Sequence, residues 1–387
     1  MMYYSIGPIN LKTEIKLPAS YNQFCANPPV DDRKSITLIE VREEPKTEDA
    51  SKISEFSLMI VWKKDDGWIF ESTDHNGFLT VSKDYSKGEF YCGHIGRTEE
   101  IISNDTNGWE TLDSVAVLQP LLQAMLECRL IYEGFGILHS ACVQLDSKAI
   151  AFSAPSGTGK SERASGFVKY LGASWISGDR PAVDPVCGKA FGVPWDGKEQ
   201  IFVNESAPLL AITEIRRGGS VLVRKMTKKQ KMQFLSTQMM IPMWDTELTR
   251  RVFIILQQMI NNIPIYRLYC DISEQSIRQV YDILFKHPEK IRKARVDKTM
   301  KLKENFEVIE IAGDYMAVPT GENMARYGGS VVLNEVSAFL LNAMKNPVTE
   351  EELLELLLNE YEVNQEKAAT DLKNILNTFE NLKLIEE

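Results

Sequence analysis

Apolar positions along the chain follow two rhythms. In residues 1–112, short runs of β-branched and aromatic residues ("SEFSLMIVWK", "WIFEST", "FLTVS") are separated by "KKDDGW", "DHNG" and "SKGE". Runs of that kind, bounded by Gly, Asn, Asp and Ser, read as strands joined by turns. The period then lengthens. "LDSVAVLQPLLQAMLECRLIYEG" reads as a helix, with Asp113 or Ser114 as N-cap, Gly134 as its stop, and Pro120 in its first turns or at a kink. "GILHSACVQL" and "KAIAFSA" read as strands, "SERASGFVKYLGA" as a helix and "WISG" as a strand ending at Asp179. "LLAITEI", "SVLVRKM" and "PIYRLYC" follow as strands, with helices over "TELTRRVFIILQQMINN" and, from Ser273, "SEQSIRQVYDILFK".

A basic connector, "KHPEKIRKARVDKTMKLK", comes next and reads as a solvated linker. Beyond it the pattern restarts. "NFEVIEIAG" and "DYMAVPT" alternate like a hairpin, "SVVLN" follows, and three helical patterns complete the chain. Thr349 and Glu352 have the spacing of a capping box, and Val348 can staple to Leu353. In the final pattern Leu372, Ile375, Leu376, Phe379 and Leu382 recur at helical spacing. The expected division is 1–115, β-rich; 116–290, α/β; 291–303, linker; and 304–387, a small separate domain.

A length of 387 residues fits two or three domains. With 44% apolar and 25% charged residues the composition is that of an ordinary globular protein. The net charge of -10 argues against a general nucleic-acid binder or a membrane-surface protein. The first residues lack a basic segment followed by an apolar core, so no secretory signal is read there. Apolar stretches such as "VFIILQQMI" read as too short and interrupted to span a bilayer. Cys25, Cys92, Cys128, Cys142, Cys187 and Cys270 form no CxxC pair. Free thiols in a cytoplasmic protein are the simplest reading, with no structural zinc or iron–sulfur site.

The chemistry concentrates in "AIAFSAPSGTGKSERAS". An apolar strand, a small-residue loop and Lys160-Ser161 at a helix start nearly match the phosphate-binding loop; Ala154 stands where the first glycine belongs. A phosphate chain needs inward-facing backbone N–H groups, close approach and a cation. Gly157 and Gly159 keep the loop free to adopt positive φ, the helix N-terminus adds partial positive charge, and Lys160 adds a full one. The Ser161 hydroxyl can ligate Mg2+, and Asp179 at the next strand end is placed to share that metal. His139 precedes the loop strand. Arg216 and Arg217, or Arg250 and Arg251, are candidate phosphate clamps among which the sequence does not choose.

"ILHSACVQLDSKAIAFSAPSGTGKSE" followed by "SGDRPAV" resembles the catalytic domain of HPr kinase/phosphorylase and its relatives, over roughly residues 116–290. "GVPWDG" at 192–197 resembles the Pro-Trp-x-Gly loop of HPr-kinase-like proteins that do not act on HPr, the lasso-peptide kinases among them. The resemblance implies an α/β kinase core using ATP and Mg2+. Ser156, Gly157, Thr158, Gly159 and Lys160 would then hold the phosphates, Ser161 and Asp179 the metal, and His139 would lie near the transferred group. Such enzymes usually carry two adjacent aspartates, one for the metal and one as base. Here the first position is Gly178, which leaves proton removal to Asp179 or His139.

Residues 304–387 resemble PqqD through "VVLNEVSAFLLNAM", "PVTEEELLELLLNEYEV" and "AATDLKNIL". The resemblance implies a winged-helix unit that takes the leader of a ribosomally made precursor peptide as an extra strand. Its acidic helices disfavour nucleic acid as a partner. Together the two resemblances imply a kinase phosphorylating a hydroxyl, serine first, on a leader-bound precursor, with no membrane or nucleic-acid partner. Other enzymes of a peptide-modification pathway, or further copies of the chain, are compatible partners. Nucleotidyl transfer to the same peptide, or a non-catalytic nucleotide-binding adaptor, are the alternatives that Gly178 motivates.

Overall fold

The computed structural model describes residues 1–27, 29, 34–93, 114–155, 157–195, 197, 199–218, 220–294, 299–311, 313–320 and 330–386. It is a mixed α/β protein of two compact units, one comprising Met1–Arg216 and Ser220–Lys293, the other Arg217–Gly219 and Ala294–Glu387.

The first unit opens with β1 (Met2–Ile6), β2 (Ile9–Thr13), β3 (Lys34–Glu40), β4 (Ser51–Glu55), β5 (Met59–Lys64), β6 (Gly67–Ser72), β7 (Gly77–Ser82) and β8 (Lys87–Cys92). Among the described residues they form one sheet in the order β1-β2-β3-β8-β7-β6-β5-β4. The run read as one strand over 54–63 splits into β4 and β5, because Phe56 N–H turns back to the Met59 carbonyl (2.8 Å). Helix α1 (Ser114–Tyr132) covers this sheet, with Pro120 at the end of its second turn and Gly134 at φ 91° past its end. The alternative N-cap, Asp113, lies outside the described residues. By length and composition α1 is apolar enough to cross a membrane, against the expectation from sequence, but 61% of that apolar window is buried inside the protein.

The chain continues through β9 (Gly136–Ile137), β10 (Ala141–Leu145), β11 (Lys148–Ser153), α2 (Lys160–Leu171), β12 (Ser174–Ser177), β13 (Ala182–Asp184) and β14 (Lys189–Phe191). Then come β15 (Ser206–Arg217), β16 (Leu222–Lys225), α3 (Lys228–Gln238), α4 (Thr246–Asn262), β17 (Ile265–Cys270) and α5 (Glu274–Tyr281). The helix expected through Lys286 is α-helical only to Tyr281, after which Asp282–Lys286 widen into a π turn. The second sheet runs β12-β10-β11-β15-β14-β13-β9, with β17 also on β15 and β16 on β17. It is buried on both faces, which is why its strands read as unbroken apolar runs. Along β11, Ala149 and Ala151 face the core shared with α1, α3 and α4; Ile150 and Phe152 face the core under α2 and α5.

The expected boundary at 115/116 falls inside the first unit, where α1 packs on β6, β7 and β8 and also on β9 and α4. The buried Tyr85 hydroxyl donates to Asp245 Oδ2 (2.9 Å), while Asp245 Oδ1 caps α4 by accepting from the Glu247 and Leu248 amides (2.8 and 3.1 Å). One carboxylate thus ties the first sheet to the start of α4.

The second unit holds β18 (Thr299–Leu302), β19 (Phe306–Ile311), β20 (Asp314–Pro319), β21 (Val331–Leu333), α6 (Glu335–Ala343), β22 (Val348–Thr349), α7 (Glu350–Glu360), α8 (Gln365–Asn381) and β23 (Ile385–Glu386). Its described strands form two small sheets, β22-β18-β23 and β19-β20-β21. Thr349 caps α7 with the reciprocal Glu352 bond of a capping box, and Val348 and Leu353 share the buried core.

Asp245→Ala removes a helix cap and strands the Tyr85 hydroxyl. We expect a loss of about 2–3 kcal/mol, with Tyr85→Phe costing less and the double variant costing less than the sum. Urea unfolding of the three variants checks this.

Candidate active site around the glycine loop

Strand β11 ends at Ser153 and α2 begins at Lys160, so the loop between them sits at a strand end and a helix N-terminus together. Gly157 and Gly159 adopt φ of 78° and 88°, the left-handed region that glycine enters without strain. Ala154 is fully buried, packs in the core under α2, and is not in the left-handed region. Nothing in its backbone asks for glycine there. Thr158 Oγ1 donates to the Pro155 carbonyl (2.8 Å) and closes the loop on itself. Ser156 lies outside the described residues.

Lys160 is 8% exposed, and its Nζ donates to the Ala154 carbonyl at 3.0 Å. Burial pulls its pKa below the ordinary lysine value; the charges of Asp179, Glu199 and Glu162 oppose that pull. Behind the loop stands Arg163, buried, with Nη1 donating to the carbonyls of Thr158 (2.9 Å) and Gly159 (3.0 Å) and Nη2 to the Cys270 carbonyl (2.7 Å). It turns those carbonyls to the rear, which favours N–H groups at the front. Sequence reasoning missed Arg163, since its Cys270 partner is 107 positions away.

His139 does not lie in a strand as expected. It sits in the break between β9 and β10, where the chain leaves one sheet for another pairing. Its N–H donates to the Gln238 carbonyl (2.8 Å), and the next amide, of Ser140, donates to the Asp179 carbonyl (2.6 Å). The Ser153 hydroxyl at the head of the loop holds the His139 carbonyl (2.7 Å). These bonds bring His139 Nε2 to 3.3 Å from Asp179 Oδ1. Arg180 Nε lies 3.4 Å from Asp179 Oδ2, and Arg180 Nη1 lies 3.6 Å from Oε1 of buried Glu127 on α1. Burial raises the Glu127 carboxyl pKa above the ordinary value, against the pull of Arg180. Strand β12, which delivers Asp179, does not pair with the loop strand: β10 lies between them, antiparallel to both. The link to the loop runs through the backbone: Ser140 N–H donates to the Asp179 carbonyl, and the adjacent His139 carbonyl accepts from Ser153 at the head of the loop.

The Pro-Trp-x-Gly segment joins the same site. Trp195 is buried, and a Cβ on Gly197 would stand 3.4 Å from Asp179 Cβ. At Gly192 a Cβ would meet the Val203 carbonyl oxygen at 1.8 Å and that of Ile176 at 2.6 Å, so the segment starts pressed against β12. The candidate clamps are elsewhere. Arg216 pairs with Glu214, Arg251 binds Glu247 and stacks on Tyr132, and Arg250 is exposed on α4; the side chain of Arg217 is outside the description. Arg180, directly after Asp179 in "SGDRPAV", is the arginine among the described residues that sits at this acid. Its adjacency to Asp179 was the signal available in sequence.

Asp179 is opposed by burial, yet the His139 bond and the charges of His139, Arg180 and Lys160 outweigh it and hold the carboxyl below the ordinary 3.8. A depressed folded pKa stabilises the fold above the unfolded value, and that stability is lost as pH falls through the folded one. Asp179→Asn is therefore expected to be less stable than the parent at pH 6, by about 1.5 kcal/mol, with the gap narrowing as pH falls below the ordinary carboxylate range. Melting temperatures across that range test this.

The comparisons with known proteins bear on the other unit. Residues 319–385 match the family model of Coenzyme PQQ synthesis protein D (PqqD). No curated protein matches the chain. Among solved structures, "TbiB1 in Complex with the TbiA(beta) Leader Peptide" is 19% identical, with 22% of this chain and 94% of that one covered and a TM-score of 0.20. The C-terminal unit of this protein thus carries a PqqD domain.

Proposed function

We propose that the protein is an ATP-dependent kinase that phosphorylates a serine hydroxyl of a ribosomally made precursor peptide in the cytoplasm, its leader held by the PqqD domain. The observation that carries the reading is the convergence of three segments at one end of the β12-β10-β11 strands: the glycine loop with Lys160, the His139–Asp179–Arg180 cluster, and Gly197. The residues suit ATP and Mg2+. Gly157, Thr158, Gly159 and Lys160, with the neighbouring Ser156, would hold the phosphates. Ser161 and Asp179 would supply oxygen ligands, as a hard cation requires. Bound Mg2+ would supply charge neutralisation on the phosphates.

The reaction joins the acceptor oxygen to the terminal phosphorus, breaks the bond to the bridging oxygen, and releases the hydroxyl proton. Asp179, bound on one oxygen by His139 and flanked on the other by Arg180, is a poor base. As acceptor of the Nε2 proton it orients His139 and leaves Nδ1 as the basic nitrogen. His139 then takes the proton, and the role that an adjacent aspartate would fill at Gly178 passes to it. Lys160 and Arg180 offer positive charge where negative charge is transferred.

Leader recognition rests on the PqqD match and on sheet edges. Among the described residues β19 and β21 are the outer strands of their sheet; β19 carries exposed Glu307 and Glu310, which blunt it, whereas β21 is uncharged and exposes Val332 at 70%. An extended leader adding to β21 would meet an apolar strand.

The test is mass spectrometry after incubation with ATP, Mg2+ and the short serine-containing peptide encoded beside its gene. We expect one added phosphoryl group on serine. Lys160→Ala should slow transfer by about 10²–10³-fold, and deleting the leader should raise the peptide KM by about 10² or more. No gain in mass, or a gain that survives Lys160→Ala, sinks the reading. An added nucleotidyl group would replace it with the other transfer chemistry.

A further inference from the structure

Outward from the glycine loop the second sheet carries a row of arginines. The strand order from the loop is β11-β15-β17-β16. Ser153, the last residue of β11, pairs with Glu214 on β15. Glu214 accepts from Arg267 on β17 (2.7 Å), and Arg267 is the cross-strand partner of Arg224 on β16. The basic connector adds one more step. Arg292 bridges Arg224, its N–H donating to the Val223 carbonyl and its carbonyl accepting from the Lys225 N–H (2.9 Å each). The start of the expected linker thus lengthens the sheet. Ile215, Val223 and Leu268 face the core under α2 and α5, and Ile291 packs against it. Alternation therefore turns Glu214, Arg216, Arg224, Arg267 and Arg292 to the opposite face together.

One carboxylate serves this row. Glu214 binds Arg216 with one oxygen and Arg267 with the other, both at 2.7 Å. Beyond it, Arg224 has an arginine on either side, and among the described residues no ion pair joins Arg224 or Arg292 to an acid. Like charges directly opposite each other across strands destabilise a sheet. The chain as a whole carries a net charge of -10, yet none of its described acids neutralises these two cations.

We propose that this row is an acidic subsite for the acceptor peptide: Arg224 and Arg292 receive the carboxylate of an aspartate or glutamate side chain near the phosphorylated serine. The proposal rests on the kinase reading above. The planar fork of arginine matches a carboxylate with two parallel N–H bonds, and clusters of arginines are a recurring means of reading acidic motifs. Spacing sets the position of the acid. Strands lie about 4.8 Å apart, so Arg224 and Arg292 stand about 15 and 20 Å from the end of β11. An extended chain covers about 3.4 Å per residue, which puts the acid about four to six residues from the serine. A basic residue there would meet unmatched cations and be rejected.

The experiment uses the full chain, ATP–Mg2+ and leaderless serine-centred peptides in which one aspartate is moved along either side of the serine, each paired with its asparagine counterpart. Where only the leader-bearing precursor is accepted, the same exchanges are made in it. We expect one position at which aspartate lowers the peptide KM about tenfold relative to asparagine, with kcat unchanged. Arg224→Gln should shrink that preference, and Arg224→Glu should replace it with a preference for lysine. The melting temperature should not fall in Arg224→Gln, because a cation flanked by cations has gone. Equal KM values for aspartate and asparagine peptides in the parent, or an aspartate preference that survives both substitutions, overturn the subsite and leave the kinase reading in place. So does a raised KM for ATP with the peptide preference intact, which assigns the row to the nucleotide. A fall in melting temperature with equal loss on both peptides marks a structural role and overturns it too. If the parent phosphorylates neither the peptides nor the neighbouring precursor, the kinase reading fails and the subsite with it.

Discussion

Everything at the glycine loop depends on holding two cations where little water reaches them. Lys160 and Arg163 are both nearly buried, on the same helix, three residues apart. An isolated buried charge is too costly to persist, so each must have a specific partner. Arg163 is matched by three backbone carbonyls, and these fix the shape of the loop from behind. Lys160 has one carbonyl at the loop's entrance and the field of three carboxylates. Burial lowers the Lys160 pKa and the three carboxylates oppose that pull. The two cations differ in their partners: Arg163 meets three backbone carbonyls, Lys160 one.

The same constraint explains the size of the first unit. Arg180 is placed between Asp179 and Glu127, and Glu127 comes from α1, the helix that the first sheet wraps. That sheet is tied on through the packing of α1 and through Tyr85 to Asp245. A glycine loop needs little more than a strand and a helix. A carboxylate buried enough to restrain Arg180 from the far side needs a core around it, and the residues before α1 supply one. The β-rich N-terminal region therefore bears on the site through Glu127, although among the described residues it contributes no side chain to the loop itself.

How much of this was legible in sequence followed from the range of each interaction. The loop, its glycines, Lys160 and the cap at Thr349 are local patterns, with partners within about one helical turn, and they were readable as such. Helix α4 was readable end to end because Asp245 caps it and its apolar face is regular. What escaped was long-range. His139 was assigned to a strand because its neighbours are apolar; the break there comes from pairing with residues 238–240 and with Asp179, about 100 and 40 positions away. Arg163 and Glu127 looked like ordinary helical residues. Arg180 was on the page in "SGDRPAV" with its adjacency to Asp179 as the local hint, but its second partner, Glu127, lies 53 positions away. The position that looked most suspect, Ala154, is explained by burial and an ordinary backbone; on the kinase reading the departure that matters is Gly178, beside which His139 lies 3.3 Å from Asp179.

On the kinase reading, a PqqD domain on the same chain changes what the glycine-loop unit must achieve. If the leader is held elsewhere, the local concentration of the core peptide at the loop is set by the tether, and the site gains little from further affinity. What it still needs is register, because a flexible peptide presents several hydroxyls at similar concentration. One directional contact beside the acceptor hydroxyl would set register without adding much binding.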